Sequence, residues 1–138
     1  MLKILIADDH RIMREAIIHI IKDEYPAVAC TEVEDGAELL SKLTQEKYDL
    51  VISDISMPVM NGIEALTALK KEHPKLPVII ISIHAENRYA VNAIKAGAAA
   101  FITKTLIQHE LIPAMHIILS GKKYMTNQLA LLLGDNSI

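Results

Sequence analysis

The sequence has few cysteines, the residues that form disulfides and thiolate metal sites. Its 138 residues include a single cysteine, Cys30. One thiol cannot form an internal disulfide or a thiolate metal site, and Cys30 is predicted to be a small core residue. The sequence also lacks a signal-peptide pattern and any apolar run long enough to span a membrane. We therefore expect a cytoplasmic protein that makes no membrane contact.

Clustered positive charge is also scarce. The formal net charge is −3, and the basic clusters are limited to the pairs Lys70-Lys71 and Lys122-Lys123. Such a surface attracts a polyanion only weakly. We therefore expect that this chain does not bind DNA by itself.

Apolar runs of strand length alternate with longer segments of helical period. A hydrophobic content of 51% over 138 residues predicts one folded domain with a sizeable core. The uninterrupted apolar run at residues 78–81 indicates a strand buried on both faces, whereas the mixed segment 28–33 suits an edge strand. The pattern predicts an α/β fold, a doubly wound sheet of five parallel strands with helices on both faces. The strands are predicted near residues 3–7, 28–33, 49–53, 78–82 and 100–103.

Five long helices are predicted near residues 11–23, 36–46, 62–73, 87–96 and 107–120. The first has a wide apolar stripe, and Ile18 lies outside it, which indicates a second contact surface. Pro113 should kink the last helix or delay its start, because an interior proline removes a backbone hydrogen bond and clashes one turn back. Thr126 is a candidate N-cap for a short, leucine-rich helix over residues 126–133.

Acidic side chains follow two of the predicted strands. Asp54 follows an apolar run that begins at Leu50, and a loop containing proline and glycine continues to Gly62. Asp8 and Asp9 follow the first strand in the same way. Taken alone, the segment after Asp54 suits an ordinary turn or helix start. Two acidic strand ends together indicate a site, because open α/β folds bind ligands at the carboxyl ends of their strands.

The carboxylates of Asp8, Asp9 and Asp54 would repel one another unless a cation lay among them. Oxygen ligands from few protein groups, with room for water, suit Mg²⁺. The six histidines show no ligand spacing with these acids, which argues against zinc. We therefore predict a magnesium site.

Two more strand ends add a hydroxyl group and a positive charge. Ser82 ends the fourth predicted strand, and Lys104 follows the fifth. Either residue alone is typical of a polar loop. Together with the three acids, they form a site for a metal and an anion, which suits phosphoryl transfer.

In these features the chain resembles the receiver domain of two-component response regulators, over residues 2 to about 120. The resemblance implies a flavodoxin-like fold with strand order 2-1-3-4-5. It also implies a signalling switch that catalyses its own phosphorylation and slow dephosphorylation with Mg²⁺, rather than an enzyme. The family's order and spacing are matched by Asp8-Asp9, Asp54, Met57-Pro58, Asn61-Gly62, Ser82 and Lys104.

The resemblance also implies how each residue acts. Asp54 would accept a phosphoryl group from a sensor histidine kinase. Asp9 would bind Mg²⁺ directly and Asp8 mainly through water, while Asp54 and the backbone carbonyl of Ser56 would supply further ligands.

Three residues would respond to the phosphoryl group. Lys104 would pair with phosphorylated Asp54, and the hydroxyl group of Ser82 would swing toward a phosphoryl oxygen. Phe101, at the family's aromatic switch position, would then turn inward; a plain core aromatic is the alternative, and burial is one of the two switch states.

Further details resemble the NarL/FixJ subgroup, whose members usually continue into a LuxR-type helix-turn-helix domain. These details are the segments 7–10, 82–84 and 120–126. The resemblance predicts a receiver domain over residues 1–121. Residues 122–138 would be a linker with a short helix that leads to a DNA-binding domain for transcription regulation. A stand-alone receiver that acts through protein contacts is the alternative.

A homodimer through the first and last long helices is a further prediction. It rests on the wide apolar arc of the first helix, including Ile18, and on Met115, Ile118 and Leu119 of the last helix. The alternative is that residues 129–133 fold back over this surface.

Two other classes of function suit the sequence less well. A phosphohydrolase with an aspartyl nucleophile needs a second acid two residues after Asp54, where Ser56 stands. A nucleotide or flavin binder needs a phosphate loop after the first strand, where Asp8 and Asp9 would repel a phosphate in the absence of a metal.

Overall fold

Five parallel strands form one sheet in the computed structural model of the chain, which describes residues 1–84 and 87–125. The strands are β1 (Lys3–Ala7), β2 (Ala29–Val33), β3 (Leu50–Asp54), β4 (Val78–Ser82) and β5 (Ala100–Thr103). The helices are α1 (Arg11–Glu24), α2 (Gly36–Gln45), α3 (Gly62–Glu72), α4 (Asn87–Lys95) and α5 (Ile107–Leu119), with a 3₁₀ turn at Lys104–Leu106 before α5. The sheet order is β2-β1-β3-β4-β5. The predicted fold class and strand order are confirmed.

Helices cover both faces of the sheet. One apolar cluster joins the first face to α1 and α5 through residues such as Ile17 and Leu111. The second cluster joins the opposite face to α2, α3 and α4 through Leu39, Leu66 and Ile94. Every residue of β3 and β4 is buried. Burial on both faces explains why these strands are apolar without alternation.

The strand register aligns the acidic strand ends. Ala7 of β1 pairs with Ser53 of β3, and Asp54 pairs with Ile81 of β4. Asp8 and Asp54 each come directly after one member of the Ala7–Ser53 pair. The two aspartates are therefore next to each other at the carboxyl edge of the sheet.

The core-facing arc of helix α1 is shifted from the predicted stripe. Ile18, which was expected to lie outside the stripe, is half-buried and packs against the same cluster as Ile17 and Ile21. The shift arises because α1 contacts α5 as well as the sheet. Ile12 and Ala16 of α1 are exposed instead, and Ile12 is 82% exposed.

Helix α5 begins at Ile107 and runs without interruption through Pro113, so the predicted late start is wrong, while the alternative of a kink stays a prediction. Pro113 and His109, one turn earlier, are both exposed, so water can satisfy the carbonyl group that loses its hydrogen bond. Met115 and Ile118 are buried in the core rather than available to a second chain, which contradicts their predicted place on a dimer surface. Leu119 is 37% exposed.

The loop between β3 and α3 is held by backbone contacts at both ends. The Gly62 N–H donates a hydrogen bond to the Ile55 carbonyl at 2.9 Å, and the Gly36 N–H donates to the Met60 carbonyl at 3.1 Å. A Cβ atom at Gly62 would overlap the backbone carbonyl of Asp54, and one at Gly36 would lie 2.5 Å from the Met60 carbonyl oxygen. Glycine at both positions permits this close approach.

The tip of this loop is a tight turn at Val59. Its φ is 68°, and the Met60 N–H donates to the Pro58 carbonyl at 2.7 Å, which closes a three-residue γ-turn. A β-branched residue is strained at positive φ. Val59 is 84% exposed, so the packing of its side chain contributes little stability to offset this strain.

The described chain ends at Met125, which packs against the cluster under α2, α3 and α4. Just before it, the Tyr124 N–H donates to the Ala99 carbonyl at 2.9 Å. The predicted helix over residues 126–133 lies outside the described residues. Among those described, none of the helices combines the length and the apolar character needed to cross a membrane.

Candidate functional site

The structure brings the three predicted acids together at the carboxyl edge of the sheet. Asp8 follows β1 and is fully buried, and Asp54 ends β3 and is 3% exposed. Asp9 lies at the rim with 34% of its side chain exposed. One ligand atom from each of these residues and from His10 lies within 4.8 Å of all the others.

Lys104 supplies a positive charge inside this cluster. Its Nζ lies 3.1 Å from Asp54 Oδ2 and 3.1 Å from Asp8 Oδ2, and 8% of its side chain is exposed. The contact with Asp54 is a hydrogen bond. Asp8 Oδ2 is buried and has no partner aligned for a hydrogen bond among the described residues, so its contact with Lys104 is an ion pair.

Burial and the neighbouring charge of Asp8 raise the pKa of Asp54, and the Lys104 ammonium opposes this rise only in part. Burial alone would lower the pKa of Lys104, but its hydrogen bond to Asp54 and its attraction to both Asp54 and Asp8 together raise it. The folded protein therefore holds Lys104 as a cation, while Asp54 resists ionisation more than an exposed aspartate does.

The carboxylate of Asp54 is contacted at both oxygens. Oδ2 accepts the hydrogen bond from Lys104, and Oδ1 accepts one from the backbone N–H of Ser56 at 3.3 Å. The backbone carbonyl of Asp54 accepts from the Ser53 hydroxyl at 3.0 Å. Ser56 itself is exposed in the loop after β3. These contacts fix the orientation of the Asp54 side chain.

Ser82 and Phe101 lie on β4 and β5, farther along the same sheet. Ser82 is fully buried, and its hydroxyl oxygen accepts a hydrogen bond from the backbone N–H of His84 at 2.9 Å. It comes directly after Ile81, the residue that pairs with Asp54. Phe101 is half-buried and packs against the cluster under α2, α3 and α4.

His10 is a member of the cluster that the sequence analysis missed. Its backbone N–H donates to Asp8 Oδ1 at 2.8 Å. Its Nδ1 lies 3.1 Å from Asp8 Oδ1 and 3.0 Å from Asp9 Oδ1. The prediction that no histidine has ligand spacing with the acids is therefore wrong for His10. Its position directly after Asp8 and Asp9 was a usable signal.

Arg14 is the second residue that the sequence analysis missed. Its Nη1 donates to the backbone carbonyl of Asp8 at 2.6 Å, and its Nε donates to Glu32 at 2.9 Å. Arg14 is buried on the same face of α1 as Ile17 and Ile21, and a charged residue on a core-facing stripe indicates a specific partner. It ties the strand end that carries Asp8 to α1 and β2.

The cluster fits a hard divalent cation. Three carboxylates converge, two of them buried, and one buried oxygen of Asp8 accepts no hydrogen bond from any described residue. Lys104 is the cation that the structure places among them, and it balances one negative charge of three. Carboxylate oxygens with an exposed rim suit Mg²⁺, which retains water ligands.

Comparison with known proteins matches this chain to one family. The family model for the response regulator receiver domain matches residues 4–116. The glycerol metabolism activator of Pseudomonas putida is 39% identical over 126 residues. That match covers 91% of this chain, which spans 57% of the relative's length.

Two solved structures extend the comparison. The chain resembles a LuxR-family two-component response regulator from Aurantimonas sp., with a TM-score of 0.85, 28% identity and coverage of 98% of this chain and 96% of the other. It also resembles the response regulator TrrA of Thermotoga maritima, solved in complex with Mg²⁺ and BeF. The TM-score there is 0.75, with 28% identity and coverage of 84% and 97%.

Proposed function

Because the chain belongs to the response regulator receiver domain family, in the NarL/FixJ (LuxR-type) subgroup, we propose that Asp54 accepts a phosphoryl group from a sensor histidine kinase. The observation that carries the proposal is the buried Asp54 carboxylate, held by Lys104 beside two other acids. The receiver is a signalling protein. Its phosphorylation and dephosphorylation are reactions of its own side chain, not of a separate substrate.

In the transfer, a carboxylate oxygen of Asp54 forms a bond to phosphorus, and the bond between phosphorus and the kinase histidine nitrogen breaks. The imidazole leaves with the bonding electron pair and takes a proton from solvent. Asp54 must be ionised to react, and the Lys104 ammonium favours that form despite burial. The Ser56 N–H and Lys104 hold the carboxylate in one orientation, which reduces the entropy lost on the way to the transition state.

Asp8, Asp9, Asp54 and the backbone carbonyl of Ser56 would hold Mg²⁺. When bound, this ion supplies positive charge that offsets the acids and the charge on the phosphoryl oxygens. Asp9 lies at the rim, where a direct ligand remains accessible, whereas Asp8 is buried beneath it and already paired with Lys104.

The switch that follows would use Ser82 and Phe101. The Ser82 hydroxyl would leave the His84 N–H and turn to a phosphoryl oxygen on Asp54. The volume it vacates would admit the half-buried ring of Phe101. Lys104 would remain paired with the phosphorylated aspartate.

The output of the whole protein is proposed from its relatives. The chain spans 57% of the length of the glycerol metabolism activator. We propose that residues 1–121 are the receiver and that residues 122–138 link it to a helix-turn-helix domain that binds DNA and regulates transcription in the cytoplasm. The alternative output is a contact between the receiver alone and another protein.

Removal of the metal ligands tests the proposed site. In Asp9→Ala, we expect Mg²⁺ affinity to fall at least about tenfold, and Mg²⁺-dependent phosphorylation by acetyl phosphate to be lost, because a direct ligand is absent. Asp8→Ala should have a smaller effect. Asp23→Ala, at an exposed position on the far end of α1, is the control and should behave as the wild type. Unchanged Mg²⁺ affinity in Asp9→Ala would eliminate this metal site.

We also propose a homodimer that forms through the surface between α1 and α5. A groove there is lined on its apolar side by Met13, Ala16 and Ile20 of α1 and by Ile107 of α5. Its polar side is lined by His19, Lys104, Thr105 and Gln108. The alternative cover of this groove, residues 129–133, lies outside the described residues. Ile18 packs on the core, so a variant there would damage the fold itself.

A charge at the exposed Ala16 tests the dimer. Ala16→Glu should be monomeric in sedimentation experiments under conditions in which the wild type forms a dimer with beryllofluoride, a phosphoryl mimic, and it should still be phosphorylated. Ala37→Glu is the matched control, because Ala37 is an exposed alanine of α2 on the other face of the sheet. A wild type that is monomeric with and without beryllofluoride, or a dimeric Ala16→Glu, would exclude this interface.

A further inference from the structure

The imidazole of His10 lies among the acids at the spacing of a metal ligand. Its Nδ1 is 3.1 Å from Asp8 Oδ1 and 3.0 Å from Asp9 Oδ1. Neighbouring ligands of an octahedral ion, each about 2.1 Å from it, are about 3.0 Å apart. The nitrogen and two carboxylate oxygens therefore have the separations of adjacent positions around one ion.

The backbone of His10 is held in place by contacts of its own, in addition to the contact of its ring with Asp8. His10 is the N-cap residue of α1, and its carbonyl accepts a hydrogen bond from the Arg14 N–H at 3.1 Å. Its own N–H is bonded to Asp8 Oδ1 at 2.8 Å. The ring itself caps no helix N–H, and 67% of the side chain is exposed, so an ion arriving from solvent can reach it.

We propose that His10 is a nitrogen ligand of the cation held by Asp8 and Asp9, so that the site binds borderline divalent ions such as Co²⁺ and Ni²⁺ as well as Mg²⁺. The inference rests on the metal site proposed above. An all-oxygen site favours hard ions, whereas an imidazole adds affinity for the later first-row metals. Mg²⁺ gains little from a nitrogen ligand and can take a water molecule in its place.

A competing role for the His10 ring predicts the opposite change in metal affinity when the ring is removed. If Nδ1 only donates its hydrogen to the two carboxylates, His10 occupies the place of the cation and must be displaced before an ion binds. Removal of the imidazole would then strengthen the binding of every divalent ion. If His10 is a ligand, its removal weakens Co²⁺ and leaves Mg²⁺ nearly unchanged.

Calorimetric titration of the wild type and His10→Ala with Mg²⁺ and with Co²⁺ separates these cases. We expect Co²⁺ affinity to fall at least about tenfold in the variant, with Mg²⁺ affinity within about twofold of the wild type. The visible absorption of bound Co²⁺ should also change, because one nitrogen ligand is lost. His10→Gln serves as a second variant if His10→Ala does not fold.

His116→Ala is the matched control. His116 Nε2 lies 2.9 Å from Glu24 Oε2 at the opposite end of α1, so it is also a histidine paired with a carboxylate. The His116→Ala variant should bind Mg²⁺ and Co²⁺ with the affinities of the wild type. Co²⁺ affinity that is unchanged or higher in His10→Ala overturns the role of His10 while the Mg²⁺ site stands. A wild type that binds no Mg²⁺ overturns the proposed site itself.

Discussion

Asp54→Asn should reduce phosphorylation by acetyl phosphate and Mg²⁺ to background. The amide has no anionic oxygen to attack phosphorus, so the nucleophile is lost while the side chain keeps its shape and volume. Asp8 and Asp9 remain in the variant but cannot replace Asp54. Asp8 is buried against Lys104, and Asp9 lies at the rim without contact to this ammonium among the described ion pairs. Mass spectrometry of the intact protein measures the added phosphoryl group directly.

Asp49→Asn is the control for this experiment. Asp49 comes immediately before β3, whereas Asp54 is the last residue of that strand. The Asp49 carboxylate accepts a hydrogen bond from the backbone N–H of Lys3 at 2.8 Å. It should be labelled to the wild-type extent. Equal labelling of Asp54→Asn and the wild type would show that another residue is the acceptor.

Lys104→Met should destabilise the protein by about 3 kcal/mol at neutral pH in the absence of Mg²⁺. The ammonium is largely buried and lies 3.1 Å from both Asp8 and Asp54. Methionine fills much of the same volume but leaves two buried carboxylates without a cation. Chemical denaturation measures the free energy of unfolding of each protein.

The loss in Lys104→Met should depend on pH through Asp54. The pKa of Asp54 is already raised in the folded protein by burial and by Asp8, and removal of Lys104 raises it further. A folded-state pKa above the unfolded value means that stability is lost as pH rises through the folded pKa. The loss in free energy of unfolding should therefore be large at neutral pH. It should shrink as the pH falls toward 3.8, the ordinary pKa of an aspartate.

Lys71→Met is the control, because Lys71 is exposed on α3. It should unfold as the wild type does at every pH. Mg²⁺ should restore part of the stability of Lys104→Met, since the ion replaces the missing positive charge. A deficit in Lys104→Met that does not change between acid and neutral pH would contradict the assigned coupling to Asp54.

Strand positions and the meeting of Asp8 with Asp54 could be predicted from the sequence, because both depend on local pattern and on parallel topology. An apolar run marks each central strand, and parallel strands place their carboxyl ends at one edge. The reach of Lys104 to both acids follows from its place after β5, but the two distances depend on packing that no local pattern specifies.

The faces of helices α1 and α5 were harder to predict. Ile18 lies outside the stripe that faces the sheet, yet it packs on the core because α5 covers a second side of α1. Met115 and Ile118 were predicted to lie on an outer surface. They are instead buried, on the face of α5 that packs against the core. Which face of α1 or α5 is buried depends on how the two helices pack against each other, and the pattern within one helix does not specify this.

The turn at Val59 makes this chain suited to a site-specific fluorescent probe. Cysteine at position 59 would replace a strained β-branched side chain and expose its sulfur in the loop that follows Asp54. The native thiol offers little competition, because Cys30 is half-buried and burial raises its pKa. Since Gly36 and Gly62 anchor this loop to two helices, a dye attached at its tip would report changes around Asp54 rather than free motion of the loop.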